Sequence, residues 1–572
     1  MKASDYIAEF LELKGIKSVF ELSGGMITHL LDSISQKTNI SIISMHHEQS
    51  AAFAADAYGR ITGLPGIAMA TSGPGATNLL TGIGSCFFDS SPAIFITGQV
   101  NRHELKGDRE IRQLGFQETD IVSMVQSITK AAFQIEKPED IPLIFEKAFR
   151  IALEGRPGPV LIDIPMDVQR MNVDQNVELK QKRIGLNCDD TSIQNLIIDI
   201  KAAKKPLLLL GRGIKAARAQ EHLNNFVKKT QIPVITSLLG LDVIEFKNEL
   251  RVGFIGSYGN RWANIAFGEC DLLIVLGSRL DIRQTGADTD FIANRKIYHV
   301  DCERGEINNR VQGCLGILDD LKLFFDRFHE LSIKEDFLKP LNWLNYIAKL
   351  KGQWPDIKEL DPDGINPNVF MHALSAVSGD ALAYIVDVGS HQMWAAQSLE
   401  INSNQVFLTS GGMGAMGFAL PAGIGASIAN RNGPVVVIAG DGCMQINIQE
   451  LQTIVRNNLP IKIIIMNNKS LGMIRQFQDS YFESRYQSTY WGYTAPDFEK
   501  IAIAYGIPAK TIDNPDEIED GVKWLWDDSN STQPALLQVM IDPHTNTYPK
   551  IAFGKPITEM EPFSKPIGME ST

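Results

Sequence analysis

An unbroken apolar run, Val435 to Ala439, ends in Gly440-Asp441-Gly442. A second, Ile461 to Met466, ends in Asn467-Asn468, about 26 residues after the first turn. Between them Gln445 to Asn458 carries apolar residues at helical spacing, so the unit reads strand, carboxylate turn, helix, strand, amide turn. Parallel strands joined by a helix bring both turns to one carboxyl edge, where open α/β folds bind ligands. An Asp441 carboxylate and an Asn468 amide oxygen at that edge suit a hard divalent cation that also holds phosphates. Asp-Gly alone is commonly only a turn; the second edge turn at this spacing makes it a site.

A further cluster, His46-His47-Glu48-Gln49, follows the apolar strand Ile40 to Met45 and precedes helix-spaced Ser50 to Gly59. An acid between such elements reads in two ways. It is a poorly solvated carboxyl of raised pKa, or a helix-start carboxylate favoured by the dipole. Adjacent His46 and His47 point to opposite faces of a strand, which disfavours a shared metal. Leu210-Gly211-Arg212-Gly213 is a strand–Gly-x-Gly–helix element, explained as well by a tight turn as by a ligand.

The elements that must hold these groups follow from the same patterning. A chain of 572 residues suits about three or four domains. Apolar strands with helical stretches between them fill residues 1–180, with strands at Gly66–Ala70, Ala93–Thr97 and Pro159–Ile164. A second α/β unit occupies 190–330 and a third 365–545, leaving a tail at 546–572. Polar residues 174–192 read as a linker, as does 330–366 with Pro340, Pro355 and Pro362. Thr71-Ser72-Gly73-Pro74-Gly75 and Thr409-Ser410-Gly411-Gly412 echo each other and hint at a duplication. A net charge of -13 without a basic stripe argues against nucleic acid. Six dispersed cysteines without a Cys-x-x-Cys pair suit a reducing cytosol. The N-terminus shows no signal or transit pattern, and no apolar run is long enough for a membrane, so the expected place is cytoplasmic.

Further motifs run in one order along nearly the whole chain: Thr71 to Asn78, Thr97-Gly98-Gln99, Phe116-Gln117-Glu118-Thr119, Arg156-Pro157-Gly158-Pro159, Asp387-Val388-Gly389, His391-Gln392-Met393-Trp394 and Gly414-Ala415-Met416-Gly417-Phe418. With His47-Glu48-Gln49 and the two edge turns, they resemble the catalytic subunits of the acetohydroxyacid (acetolactate) synthase family, which depend on thiamine diphosphate (ThDP). The resemblance implies an α/β fold of three doubly wound parallel-sheet domains: pyrimidine-binding, central FAD-binding and diphosphate-binding. It implies ThDP held between two subunits, hence a homodimer or homotetramer; a regulatory subunit is left open. By the same resemblance Glu48 hydrogen-bonds N1′ of the aminopyrimidine and promotes the imino tautomer that deprotonates C2. Gln117 and Gly25 belong to the reacting centre. The Gly414 carbonyl receives the 4′-amino group and Met416 wedges beneath the bent cofactor. Val388, Gly389, Ser390, His391, Gly440, Gly442 and Cys443 are further cofactor-binding positions. Asp441, Asn468 and the Ser470 carbonyl complete a Mg²⁺ shell. The stretch Gly277 to Gly286, followed by His299-Val300-Asp301, resembles an FAD site. There Arg279 and Arg283 meet the diphosphate and Asp301 the adenosine part, with solvated surface arginines as the alternative.

Four places depart from the family's pattern. Ser23 replaces a proline, about six extra residues lie within Arg102–Leu114, Met166 replaces a lysine at the substrate entrance, and Phe477 replaces a tryptophan. Three of them map to the acceptor side. The implied activity is decarboxylation of pyruvate and transfer of its two-carbon unit to a second carbonyl. That acceptor is pyruvate, giving acetolactate, or a bulkier ketone such as a nucleotide-linked keto-deoxysugar. A non-catalytic cofactor-binding scaffold is the reading from another class; Glu48, Asp441 and Asn468 together speak against it.

Overall fold

The computed structural model describes residues 1–173, 190–286, 295–430, 433–527 and 529–567. The linker expected from 174 onward lies almost wholly outside them, as does Cys188. The five described cysteines are free. Among the described residues no helix is long and apolar enough to cross a membrane.

The first sheet contains β1 (Ser18–Leu22), β2 (Ser41–Ser44), β3 (Gly66–Ala70), β4 (Ala93–Gln99), β5 (Ala131–Gln134) and β6 (Pro159–Pro165), in the order β2-β1-β3-β4-β6-β5. Every pairing in it is parallel. Successive residues of β4 alternate between two cores: Ala93 and Phe95 join one, Ile94 and Ile96 the other. Helices cover both faces, which is why these strands read as continuous apolar runs rather than as alternation.

The central sheet is also parallel: β7 (Pro206–Leu210), β8 (Val234–Thr236), β9 (Arg251–Phe254), β10 (Leu272–Leu276), β11 (Lys296–Asp301) and β12 (Leu315–Leu318), ordered β12-β11-β10-β7-β8-β9. The 330–366 stretch, expected to be a linker, contains a helix, Leu341–Gln353. Trp343, Ile347 and Leu350 bury one face of it against the central core. That spacing was present in the sequence, but the flanking prolines obscured it. The tail also folds: Lys550–Ile551 pairs antiparallel with Met560–Glu561, and Ile551 N donates to Ser257 O of the central domain at 2.8 Å.

The third sheet holds β13 (Ala383–Val386), β14 (Val406–Thr409), β15 (Val435–Gly440), β16 (Ile461–Asn467), β17 (Ala509–Ile512) and β18 (Ala535–Met540), ordered β14-β13-β15-β16-β18-β17. Strand for strand this is the order of the first sheet. The echoing Gly-rich turns are nevertheless not equivalent: Thr71 follows the third strand of its sheet, whereas Thr409 ends the second. What does correspond is the helix after each second strand, Glu48–Thr62 and Ala419–Ala429, and these two pack together in one core. Small residues allow the close approach: a Cβ on Gly425 would stand 2.0 Å from the Ala54 carbonyl oxygen. Phe53 meets Phe418 edge-on at 5.4 Å. Arg60, at the other end of its helix, bonds Asp56 at 2.6 Å, Asp89 at 3.0 Å and the Thr409 carbonyl at 2.9 Å. Breaking so buried a pairing costs about 3–5 kcal/mol.

Candidate active site

An open parallel sheet offers a crevice where its strand order reverses, because the connections there leave to opposite sides. In the third sheet this point lies between β13 and β15. The turn after β13 carries Asp387-Val388-Gly389 and that after β15 carries Gly440-Asp441-Gly442. The register pairing Gly440 with Met466 sets Asn467-Asn468 alongside. Glycines keep the side chains close: a Cβ on Gly440 would stand 2.9 Å from His391 Nδ1, and one on Gly472 2.7 Å from Asn468 Nδ2 and 2.9 Å from Ser390 Oγ. A Cβ on Gly442 would meet Met416 Cε at 3.3 Å. Ser390, His391, Met416, Asp441 and Asn468 therefore form one cluster.

The helix expected from Gln445 is instead two short ones, Asp441–Ile446 and Leu451–Arg456, broken around Asn447. The Asn447 amide donates to the Gly417 carbonyl at 2.7 Å and to Gln49 Oε1 at 3.3 Å, tying the turn to the first domain. Asp387, so far only part of a motif, organises the Met416 turn. Its carboxylate accepts from the amides of Gly417 at 3.0 Å and Ala419 at 2.7 Å. Gly414 and Gly417 sit there at φ +66 and +82, where a side chain would be strained. Cys443 Sγ donates to the Val388 carbonyl at 3.0 Å.

Ser390 Oγ, His391 Nε2 and Ser470 Oγ are buried without partners. Each such atom costs about 1–3 kcal/mol, so their grouping points to a polar ligand. Asp441 is 2% exposed, and burial pushes its carboxyl up to about 6. Burial drives the His391 imidazole down to about 3, so the ring is neutral at ordinary pH. Among the described residues no group of three or more His, Cys, Asp or Glu could hold a metal. A cation here would draw on the Asp441 carboxylate, neutral oxygens of Asn468 and Ser470, and oxygens of an anionic ligand. That donor set fits Mg²⁺ carrying a diphosphate. Sequence reasoning missed Tyr493, whose hydroxyl donates to Asp441 Oδ2 at 3.2 Å.

In the first sheet the order reverses between β1 and β3. A Cβ on Gly24 would stand 2.5 Å from Thr71 Cβ, whereas the side of Gly25 is open for 4 Å. Gly73 faces Gln117, with a Cβ there 3.0 Å from that of Gln117, and Gln117 itself holds φ +65. Glu48 begins its helix, is 6% exposed, and accepts from Asn78 Nδ2 on Oε2 at 3.0 Å. His47 caps that helix by accepting from Gln49 N at 3.0 Å. Gly25, Glu48 and Gln117 thus share one edge. Beneath it, buried Asp163 accepts from Thr97 Oγ1 at 2.7 Å and Gln99 Nε2 at 3.0 Å, and Gln99 also donates to the Thr119 carbonyl at 2.8 Å. These groups hold the turn that presents Gln117.

The central reversal, between β7 and β10, opens on a cavity of about 770 Å³. A Cβ on Gly211 would stand 2.1 Å from the Gly277 carbonyl oxygen, so tight packing of two turns explains the Gly-x-Gly. Arg279, Arg283 and Asp301 line the cavity; Arg279 pairs with Asp281 at 3.4 Å, and burial pushes the Asp301 carboxyl up to about 6. Its third-domain wall includes Phe477, whose ring lies 4.8 Å from that of Tyr481. Met166 does not line it; it starts the Met166–Arg170 helix after β6. Within one chain the two positions expected at the substrate mouth therefore do not meet in this cavity. The extra residues before Phe116 form an exposed loop held by Glu118, which accepts from the amides of Lys106 at 2.6 Å and Leu114 at 2.8 Å.

The chain is similar to known proteins over nearly its whole length. Three family descriptions fit the chain: thiamine pyrophosphate enzyme, N-terminal TPP binding domain, over residues 1–124; central domain over 193–328; and C-terminal TPP binding domain over 387–539. The chain is 36% identical over 563 residues to the acetolactate synthase large subunit of Lactococcus lactis, covering 97% of this chain and 95% of that one. It is 35% identical to the acetolactate synthase isozyme 2 large subunit of Escherichia coli, with 98% and 99% covered. It is 37% identical to the probable acetolactate synthase large subunit of Methanocaldococcus jannaschii, with 95% and 92% covered.

Proposed function

The chain belongs to the acetolactate synthase-like, thiamine diphosphate-dependent enzymes, and from that premise we propose that it is a carboligase that decarboxylates pyruvate and passes the two-carbon unit to a second carbonyl. The observation that carries this reading is the cluster at the third-sheet crevice: a buried carboxylate, an amide oxygen and three unpartnered polar atoms grouped at glycine turns. When bound, ThDP supplies the electron sink for carbanion chemistry. Asp441, Asn468 and the Ser470 carbonyl would hold Mg²⁺, which would neutralise the charge of the diphosphate. Ser390 Oγ and His391 Nε2 offer further polar contacts. Met416 would pack against the cofactor from a turn that Asp387 keeps in place. Asn78 occupies Glu48 Oε2, which leaves Oε1 to take and return a proton. Gln117 and Gly25 face the reacting centre. From the family resemblance, which places ThDP between two subunits, we read the working site as shared between two copies in a homodimer or homotetramer.

The central cavity is read as the FAD site, with Arg279 and Arg283 on the diphosphate and Asp301 toward the adenosine. Cytoplasmic residence is supported by the free cysteines. The leading acceptor is a second pyruvate, giving acetolactate. The second reading, a bulkier ketone, rests on the smaller ring of Phe477, in a wall of that cavity, where the family has tryptophan. Mass spectrometry of products from pyruvate alone, and with added carbonyl acceptors, tests both. Acetolactate from pyruvate alone supports the leading reading, and a cross-product with a bulky ketone the second. No CO₂ release from pyruvate with ThDP and Mg²⁺ present would refute the activity.

A further inference from the structure

Asp441 is almost wholly buried, yet an anion in such a place needs donors aimed at it. Tyr493 Oη supplies one to Oδ2 at 3.2 Å. The ring also borders the turn itself, since a Cβ on Gly442 would stand 3.1 Å from that hydroxyl, beside Leu471 Cδ2 at 2.8 Å and Met416 Cε at 3.3 Å. Tyr493 comes from outside both edge turns, in the segment that follows the Gly472–Tyr481 helix. That segment is tied to the candidate shell: Leu471 N, one residue beyond Ser470, donates to the Thr489 carbonyl at 3.0 Å. Gly492 at φ +74 turns the chain just ahead of Tyr493.

We propose that Tyr493 is a positioning residue for the cofactor cation: by engaging Oδ2 it orients the Asp441 carboxylate so that Oδ1 faces the shell shared with Asn468 and Ser470. The inference rests on the reading of Asp441, Asn468 and Ser470 as that shell. A group that orients a metal ligand from behind typically accounts for about 10- to 100-fold in metal affinity. Tyr493→Phe keeps the ring against Gly442 and Leu471 and removes only the donor.

The test is calorimetric titration of the full-length protein with Mg²⁺ at saturating ThDP, and with ThDP at saturating Mg²⁺, for wild type, Tyr493→Phe and Asp441→Ala. Thermal melting and circular dichroism confirm that each variant folds. Tyr493→Phe should weaken Mg²⁺ binding roughly 10- to 100-fold. Its turnover should return toward wild type when Mg²⁺ is raised to match, a recovery that a merely structural defect would not show. Unchanged Mg²⁺ affinity in Tyr493→Phe, with loss in Asp441→Ala, overturns the role of Tyr493 alone. Tighter binding in Tyr493→Phe overturns it too, because the hydroxyl would then compete with the cation. Wild-type Mg²⁺ binding in Asp441→Ala refutes the shell itself.

Discussion

Asp163→Asn isolates a buried acid beneath the Gln117 turn. Asp163 is 1% exposed, and burial outweighs the three hydrogen bonds it accepts, from Thr97, Gln99 and Gln134, to push the carboxyl from 3.8 up to about 7. At about 1.4 kcal/mol per unit, that rise is a ceiling of about 4 kcal/mol. The sign follows from which state binds the proton. Between 3.8 and about 7 the folded chain holds a proton that the unfolded chain has released. Its contribution is complete below the unfolded value and is lost as pH rises through the folded one. From pH 5 to pH 8 the wild type should therefore lose about 3 kcal/mol locally, while the neutral Asn variant should lose none of it. Asn can keep its oxygen toward Gln99 Nε2 and Gln134 Nε2, which stand 3.0 and 3.3 Å from Oδ2, with its amide on Thr97 Oγ1, which must then accept instead of donate, an exchange that costs at most about 0.5–1.5 kcal/mol. That cost is nearly pH-independent, so it shifts the whole profile without restoring its slope. Unfolding of a three-domain chain is not two-state, so native-state hydrogen exchange of the β4 and β6 amides is the assay. Because Gln99 also holds the Thr119 carbonyl, kcat should fall while ThDP affinity stays near wild type. A stability difference between variant and wild type that is flat from pH 5 to 8 would refute the reasoning.

Glu48→Gln should retain ThDP in calorimetry yet lose roughly 10²- to 10⁴-fold in turnover, since Gln keeps the shape but cannot exchange the proton; C2–H exchange at the wild-type rate would remove Glu48 from that role. The purified protein should be yellow with one FAD per chain, and Arg279→Ala should weaken flavin binding by about 1.5–3 kcal/mol if a charge-assisted bond is lost. A protein that stays colourless after FAD is added would redirect the central cavity to another ligand. Phe477→Trp should favour 2-ketobutyrate over pyruvate in competition and slow any bulky acceptor. One methylene is worth only about 1–3 kcal/mol in a shaped pocket, so a strong wild-type bias toward 2-ketobutyrate would contradict a widened site.

Sequence alone determined the parallel class and the edge turns. Strands buried on both faces leave uninterrupted apolar runs such as Val435–Ala439, and the turns at their ends carry Asp441 and Asn468 at a spacing that the helix between them requires. The motif order also specified the family, because each motif is local and readable without knowing its neighbours. Only the tertiary structure decided what depends on contacts between distant segments. Tyr493 reaches Asp441 across 52 positions, and no periodicity announces a single hydroxyl turned inward by a loop. Asn447 breaks its helix because its amide is drawn to Gly417 and Gln49, a tertiary contact that overrides helical spacing. Asp387 looked like one letter of a motif until its oxygens were seen to hold two backbone amides of the Met416 turn. The folded helix at Leu341–Gln353 and the tail hairpin against Ser257 belong with these. Their faces become buried only once the central domain stands beside them.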